Sequence, residues 1–200
     1  MVVQATGVDV GFVVAGGKSR RMGADKALLP WEGSTLLDHA IARLSDVCHE
    51  VVILSGAEPR YTDRGLPVVV DRDPDTGALV GVASGLAGLE ASRGLFLGVD
   101  LPFVPVALLR HLLALAEGWD AVVPASPEGP EPLCAVYGRA CREPVWRAIR
   151  EGRLKMTAFW PDVRVRVVST EEVRAFGDPS SLFRNLNTPD DYERAQLKER

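Results

Sequence analysis

Continuously apolar runs, rich in valine and leucine, alternate along this chain with segments of helical periodicity. Runs of this kind occupy residues 8–15, 51–54, 67–70, 95–99 and 121–124. A strand that is apolar on both faces is usually buried on both, as in a parallel sheet covered by helices. The sequence therefore predicts an α/β fold with a mainly parallel sheet, in one domain that spans residues 1–200.

The segments between these runs carry helix signals. Thr35 to Asp38 has the spacing of a capping box, and an apolar helical face follows it. Further helices are predicted over 79–90, 104–116 and 144–149, and a last one begins at Thr188 with proline and acids in its first turn. Residues 133–137 and 163–168 are predicted strands, and the turn-rich stretch 125–132 is a predicted surface loop.

Composition and charge exclude several classes of function. The net charge is −4, and no long basic stripe is present, which argues against nucleic acid as a partner. No run reaches the roughly 18 apolar residues of a membrane span, and no signal peptide is evident, so we expect a cytoplasmic protein. Three cysteines without a Cys-x-x-Cys pair indicate neither a disulfide framework nor a zinc site.

The first apolar run leads directly into a glycine-rich cationic loop. Gly16 and Gly17 begin it, and four cations follow within nine positions: Lys18, Arg20, Arg21 and Lys26. With 23 cations in 200 residues, about one would be expected in such a stretch. Glycines allow backbone N–H groups to approach a ligand closely, and the cations supply charge. The loop therefore predicts a site for a polyphosphate, such as a nucleoside triphosphate.

Two better-known phosphate motifs do not fit this loop. A P-loop ending at Gly17-Lys18-Ser19 would need a glycine where the chain has Phe12. A dinucleotide fingerprint needs Gly-x-Gly, but Gly16 and Gly17 are adjacent.

Two aspartates stand at the ends of predicted strands. Asp100 is either a cap for the helix that follows or a ligand for the Mg²⁺ of a bound triphosphate, and its local sequence supports both interpretations. Asp71 begins an Asp-x-Asp-x-Asp series that resembles a calcium loop. Thr76 and Val82 occupy the positions where that loop needs glycine and glutamate, which excludes calcium.

Residues 15–29 resemble the signature loop of GT-A nucleotidyltransferases, and most closely that of the molybdenum cofactor guanylyltransferase (MobA) family. The resemblance implies a Rossmann-like, three-layer α/β/α domain of the nucleotide-diphospho-sugar transferase type, with the nucleotide and metal site in its N-terminal half. It also implies roles for individual residues. Those placed at the nucleotide are Val14, Ala15, Gly16, Gly17, Lys26, Asp71 and Asp100; those given catalytic roles are Arg21, Lys26 and Asp100, with Asp100 holding Mg²⁺.

The chain departs from the family pattern at a few positions. Val99 precedes Asp100 where the family has cysteine, and Ala78 replaces a turn proline. The family often has asparagines near Ile53 and Ser55. Of these two, only Ser55 offers a polar side chain to the nucleotide.

The C-terminal half resembles the acceptor side of the same family. Residues 131–137 resemble its Pro-Leu-x-Ala-x-Tyr segment, and residues 185–191 its Asn-x-Asn-Thr-Pro-Glu-Asp segment. Two amides in this spacing on an extended chain face the same way, which suits a pterin with several donors and acceptors. By resemblance, Asn185 and Asn187 approach molybdopterin.

The implied reaction is transfer of GMP from GTP to the phosphate of Mo-molybdopterin, with release of pyrophosphate. The family also implies contact with other cofactor-assembly proteins and with molybdoenzymes. Two alternatives remain open. One is a cytidylyltransferase or another nucleotidyltransferase of this fold, although cytidylyl relatives commonly carry Ala-Ala-Gly where this chain has Ala15-Gly16-Gly17. The other is a nucleotide-binding regulator or cofactor carrier without turnover.

Overall fold

The computed structural model describes residues 9–16, 25–71 and 77–198. A large sheet has the strand order β10-β7-β9-β6-β1-β4-β5, with β8 paired to β7, and β2 and β3 form a separate two-stranded sheet. The strands are β1 (Val10–Val14), β2 (Pro30–Trp31), β3 (Ser34–Thr35), β4 (Glu50–Leu54), β5 (Val68–Val69), β6 (Arg93–Gly98), β7 (Ala121–Ser126), β8 (Gly129–Pro130), β9 (Cys134–Gly138) and β10 (Val165–Val168).

Within the described ranges, seven α-helices connect or flank these strands: α1 (Leu36–Ser45), α2 (Ala78–Ala87), α3 (Val106–Ala114), α4 (Arg142–Arg150), α5 (Thr170–Val173), α6 (Pro179–Leu182) and α7 (Pro189–Lys198). Short 3₁₀ helices include Lys26–Leu28 and Thr62–Arg64. Among the described residues, none of the helices has the length and apolarity needed to cross a membrane.

The sheet is mainly parallel, which confirms the prediction. Strand β1 lies between β4 and β6 and is parallel to both, with Val13 opposite Ile53 on one side and Leu97 on the other. Strand β9 is the exception among the long strands that the structure describes, since it runs antiparallel to its neighbours β6 and β7.

Apolar side chains on both faces of the sheet explain why its strands are so continuously apolar. On one face, Val13 packs with its partners in the adjacent strands, Ile53 and Leu97, under α1 and α3. These helices contribute Leu37 and Leu108. On the other face, Phe12 packs under α2 and α4, which contribute Leu86 and Val145. Alternate residues of β1 therefore enter opposite cores, and helices cover both faces.

The predicted surface loop over 125–132 is wrong in part. Strand β7 continues to Ser126 and pairs with Gly129 in β8, so this stretch contains a tight hairpin. Only two residues separate the paired positions, and Gly129 has a φ of 134°, a conformation that favours glycine. Pro127 and Glu128 form the turn, and Gly129 and Pro130 belong to β8.

Candidate active site

The carboxyl ends of β1, β4, β5 and β6 form one edge of the sheet. The chain stays paired just beyond these strands: the Ala15 N–H donates to the Leu54 carbonyl (3.0 Å), and the Val99 N–H donates to the Val14 carbonyl (3.2 Å). Backbone groups of Val14 and Ala15 are thus used inside the sheet, and Gly16 is the first exposed residue beyond it. Ligands of open α/β sheets bind at such an edge.

Gly16 lies against the segment that follows β4. A Cβ at Gly16 would lie 2.8 Å from both the Cα and the N of Gly56, which is too close for any side chain. The two segments approach backbone to backbone, and glycine is required there for packing as well as for an open ligand site.

Lys26, Asp100 and Asn187 meet at this edge. Lys26 Nζ donates to Asp100 Oδ2 (3.2 Å) and to Asn187 Oδ1 (2.9 Å). The Leu186 N–H also donates to the Asp100 carbonyl (3.1 Å), which attaches the late segment to the turn after β6. The side chains of Lys26 and Asp100 are only 13% and 20% exposed, so this pair is partly shielded from water.

The position of Asp100 excludes one of its two interpretations. Helix α3 begins at Val106, and its N-cap is Pro105, so Asp100 does not cap this helix. Its carboxylate lies over Gly98, where a Cβ would approach Asp100 Oδ1 to 2.5 Å. The missing side chain at Gly98 makes room for the carboxylate, which remains available as a ligand.

Asp71 follows β5 at the same edge and is half-buried. Its backbone N–H donates to the Gly56 carbonyl (2.8 Å), whereas its Oδ1 is buried and has no hydrogen-bond partner among the described residues. Burial is the main cause that raises the pKa of Asp71. A buried acceptor of this kind is suited to a donor from a ligand.

Asp25 lies at the centre of a cluster that sequence reasoning missed. Its carboxylate accepts from the Ala27 N–H (3.1 Å), from Arg60 Nη1 (3.1 Å) and from the Tyr61 hydroxyl (2.8 and 2.9 Å to the two oxygens). Asp25 was visible as part of the signature loop. Arg60 and Tyr61 belong to no recognisable pattern, and their sequence carries no signal of this role.

Several residues that the sequence assigned to the site either make contacts within the protein or are not described by the structure. Gly17, Lys18, Arg20 and Arg21 lie outside the described residues. Asn185 Nδ2 contacts the Phe183 carbonyl at 3.4 Å. Ile53 and Ser55 are fully buried, and the Ser55 hydroxyl donates to the Glu58 carbonyl (2.6 Å), so that hydroxyl is used within the protein.

A magnesium ion bound together with a triphosphate is compatible with this edge. Within the part of the chain that the structure describes, no group of three or more His, Cys, Asp or Glu side chains forms a metal cluster. Mg²⁺ takes one or two carboxylates together with substrate phosphates and waters, and it does not need such a cluster. Asp100 Oδ2 and Asn187 Oδ1 are oxygen atoms of the kind that Mg²⁺ binds. Both already face one cation, because each accepts a hydrogen bond from the Lys26 ammonium group.

The model of the MobA-like NTP transferase domain matches residues 11–162 of this chain, which include Lys26, Asp71 and Asp100. The chain belongs to the MobA-like NTP transferase family. It is accordingly a nucleotidyltransferase-type transferase, and the edge described above is the candidate active site of this MobA-like protein.

Individual relatives extend the likeness along the whole chain. A probable molybdenum cofactor guanylyltransferase from Pelotomaculum thermopropionicum is 36% identical over 98% of this chain and 94% of the relative. A molybdenum cofactor guanylyltransferase from Desulfosudis oleivorans is 32% identical over 93% of each. The crystal structure of molybdopterin-guanine dinucleotide biosynthesis protein A from Archaeoglobus fulgidus has a TM-score of 0.80 and 26% identity, and covers 94% of this chain and 97% of that one. The MobA-like assignment therefore extends to the C-terminal residues that carry Asn185 and Asn187.

Proposed function

We propose that this chain is a Mg²⁺-dependent guanylyltransferase that transfers GMP from GTP to the phosphate of Mo-molybdopterin and releases pyrophosphate. The convergence of Lys26, Asp100 and Asn187 is the observation that carries the proposal. A cation, a candidate metal ligand and a residue of the predicted acceptor segment meet at the same edge of the sheet as the exposed Gly16. The names of relatives that are 36% and 32% identical support the choice of substrates.

The reaction needs no general base on the protein. An oxygen of the acceptor phosphate attacks the α-phosphorus of GTP and forms a new P–O bond. The bond between the α-phosphorus and the bridging oxygen to the β-phosphate breaks, and its electron pair leaves with pyrophosphate. A phosphomonoester loses its second proton near pH 6, so the nucleophile is already largely anionic at neutral pH.

The main difficulty is to bring two anions together, and the chain's contribution is charge and position. The Lys26 ammonium would neutralise part of the triphosphate charge, and Arg21 is proposed to contribute a second cation. Asp100 would hold Mg²⁺, which supplies further positive charge to the triphosphate when bound. Asn187 contacts the Lys26 amine and would orient it.

The nucleotide is proposed to lie along the ends of β1 and β5. Gly16, together with Gly17, would present backbone to the phosphates, and Val14 and Ala15 would form the floor beneath the nucleotide. The buried Oδ1 of Asp71 would accept a hydrogen bond from a donor of the nucleoside. On the other side of Lys26, Asn185 and Asn187 are proposed to face the molybdopterin.

The decisive assay measures pyrophosphate release by the purified chain with molybdopterin, Mg²⁺ and either GTP or CTP. We expect turnover with GTP well above that with CTP, and its loss in Asp100→Asn. A preference for CTP would move the chain to the cytidylyl alternative. Nucleotide binding without pyrophosphate release from either would instead indicate a regulator or carrier.

A further inference from the structure

Arg60 joins three separate segments at the carboxyl edge of the sheet. Its Nη2 donates to the carbonyl of Ser55, after β4 (2.9 Å), and to that of Ala15, after β1 (3.3 Å). Its Nη1 donates to Asp25 Oδ2 (3.1 Å). One guanidinium therefore connects the residue that precedes Gly16 with the residue that precedes Lys26.

The Asp25 end of this connection is fixed by further contacts. Asp25 Oδ1 accepts from the Ala27 N–H and so caps the 3₁₀ helix that begins at Lys26. The Tyr61 hydroxyl contacts both carboxylate oxygens. Tyr61 has a φ of 65°, an uncommon conformation for a residue other than glycine.

Tyr61 remains a donor in this arrangement. Burial and then the neighbouring Asp25 carboxylate raise the pKa of Tyr61, so the phenol keeps its proton at all physiological pH values. The Arg60 guanidinium lies 5.1 Å from the centre of the Tyr61 ring, and thus contacts both partners of the carboxylate–phenol pair.

We propose that Arg60 is a positioning residue that sets where Lys26 lies relative to the backbone at Ala15 and Gly16. The inference rests on the proposed function, in which these two places bind one triphosphate. A planar guanidinium with five N–H donors can bind two carbonyls and a carboxylate at once, and a lysine ammonium lacks this fixed fork. Because Lys26 directly follows Asp25, a shift of Asp25 would move the amine away from the phosphates.

The test compares Arg60→Met, Arg60→Lys and Tyr61→Phe with the control Arg142→Met. Arg142 also binds two carbonyls, those of Leu86 (2.8 Å) and Leu89 (2.7 Å), but these lie at the end of α2. The readouts are the melting temperature, the Kd values for Mg²⁺-GTP and inorganic tripolyphosphate, and the KM of each substrate.

Arg60→Met should weaken binding of both triphosphates about tenfold, the scale of losing one charge-assisted contact. Its kcat/KM for GTP should fall at least as far, while its KM for molybdopterin stays close to that of the wild type. Arg60→Lys should restore only part of the loss, and Tyr61→Phe should cause a smaller loss in the same direction. Arg142→Met should lower the melting temperature and leave both triphosphate Kd values unchanged.

Wild-type triphosphate affinity in Arg60→Met would overturn the proposal, even with a lowered melting temperature. If Arg60→Met does not fold, wild-type affinity in both Arg60→Lys and Tyr61→Phe overturns it equally. The proposed function can fail separately. If the wild-type chain binds tripolyphosphate more tightly than Arg60→Met but does not turn over GTP, the positioning role is supported and the guanylyl reaction is rejected.

Discussion

Lys26 Nζ lies 3.2 Å from Asp100 Oδ2 and donates to it, although 74 positions separate the two residues. Asn187 Oδ1 accepts from the same amine at 2.9 Å. The carboxylate proposed to hold a metal is therefore in direct contact with the amine proposed to bind phosphate, and both are partly shielded from water. The effects of changing them should be coupled.

Lys26→Ala should lower kcat/KM for GTP by roughly 10- to 1000-fold, the scale of losing one or two charge-assisted contacts. Asp100→Asn should lose most turnover at the chemical step. Because the two residues touch, the double variant should lose less than the product of the two single losses. Steady-state and single-turnover kinetics check this, and near-normal Mg²⁺-dependent turnover in Asp100→Asn would refute its assignment.

Gly98→Ala should impair catalysis with little loss of stability. Its Cβ would lie 2.5 Å from Asp100 Oδ1, and the flexible carboxylate can move away at small cost to the fold. Gly94→Ala, in the same strand, is the matched control. Its Cβ would lie 2.5 Å from a ring carbon of Phe12 in the packed core, so it should lower the melting temperature more. Unchanged turnover in Gly98→Ala would contradict the need for this carboxylate position.

Asp71→Asn should stabilise the folded chain at neutral pH and weaken nucleotide use. Burial raises the folded-state pKa of Asp71 above its ordinary value of 3.8. Its favourable contribution is therefore complete below that value and is lost as pH rises through the folded-state pKa. The gain from asparagine should be largest near neutral pH, because the amide removes a partly buried charge, and it should disappear at low pH. Urea unfolding of both proteins across this pH range provides the measurement, and a gain that grows toward acid would contradict the prediction.

The two asparagines should differ in their effects. Asn187→Ala should lower kcat/KM for GTP, because Asn187 contacts Lys26. Asn185→Ala should mainly raise the KM for molybdopterin, which Asn185 is proposed to face. It should affect GTP use less, because its amide contacts the Phe183 carbonyl and not the Lys26 amine. If both changes lower kcat/KM for GTP equally and neither raises the KM for molybdopterin, the two asparagines do not have the different roles proposed here.

Much of the fold was predictable because burial on both faces leaves a strong mark on strand composition. The runs over 95–99 and 121–124 correspond to β6 and β7, and the mainly parallel sheet follows from them. The hairpin at Ser126 and Gly129 was missed because prolines and glycines signal a turn without showing how tightly the chain returns.

The site was predictable to the extent that local sequence carries it. The glycine-rich loop and the strand-end aspartates were visible as patterns, and the location of Asp71 and Asp100 at one edge follows from parallel strands. That Asp100 does not cap α3 was not visible, because it depends on where this helix begins.

The sequence by itself determined the α/β sheet, the edge where a nucleotide would bind, and the likeness to one family of transferases. Only the tertiary structure decided that Asn187 meets Lys26 and Asp100, and that Arg60 connects Ala15 with Asp25. The physical reason is the nature of the contacts. Burial in a sheet selects residue types along a continuous stretch, whereas a single hydrogen bond between residues far apart in the chain, to a side chain or to a backbone carbonyl, leaves no pattern in the sequence around either partner.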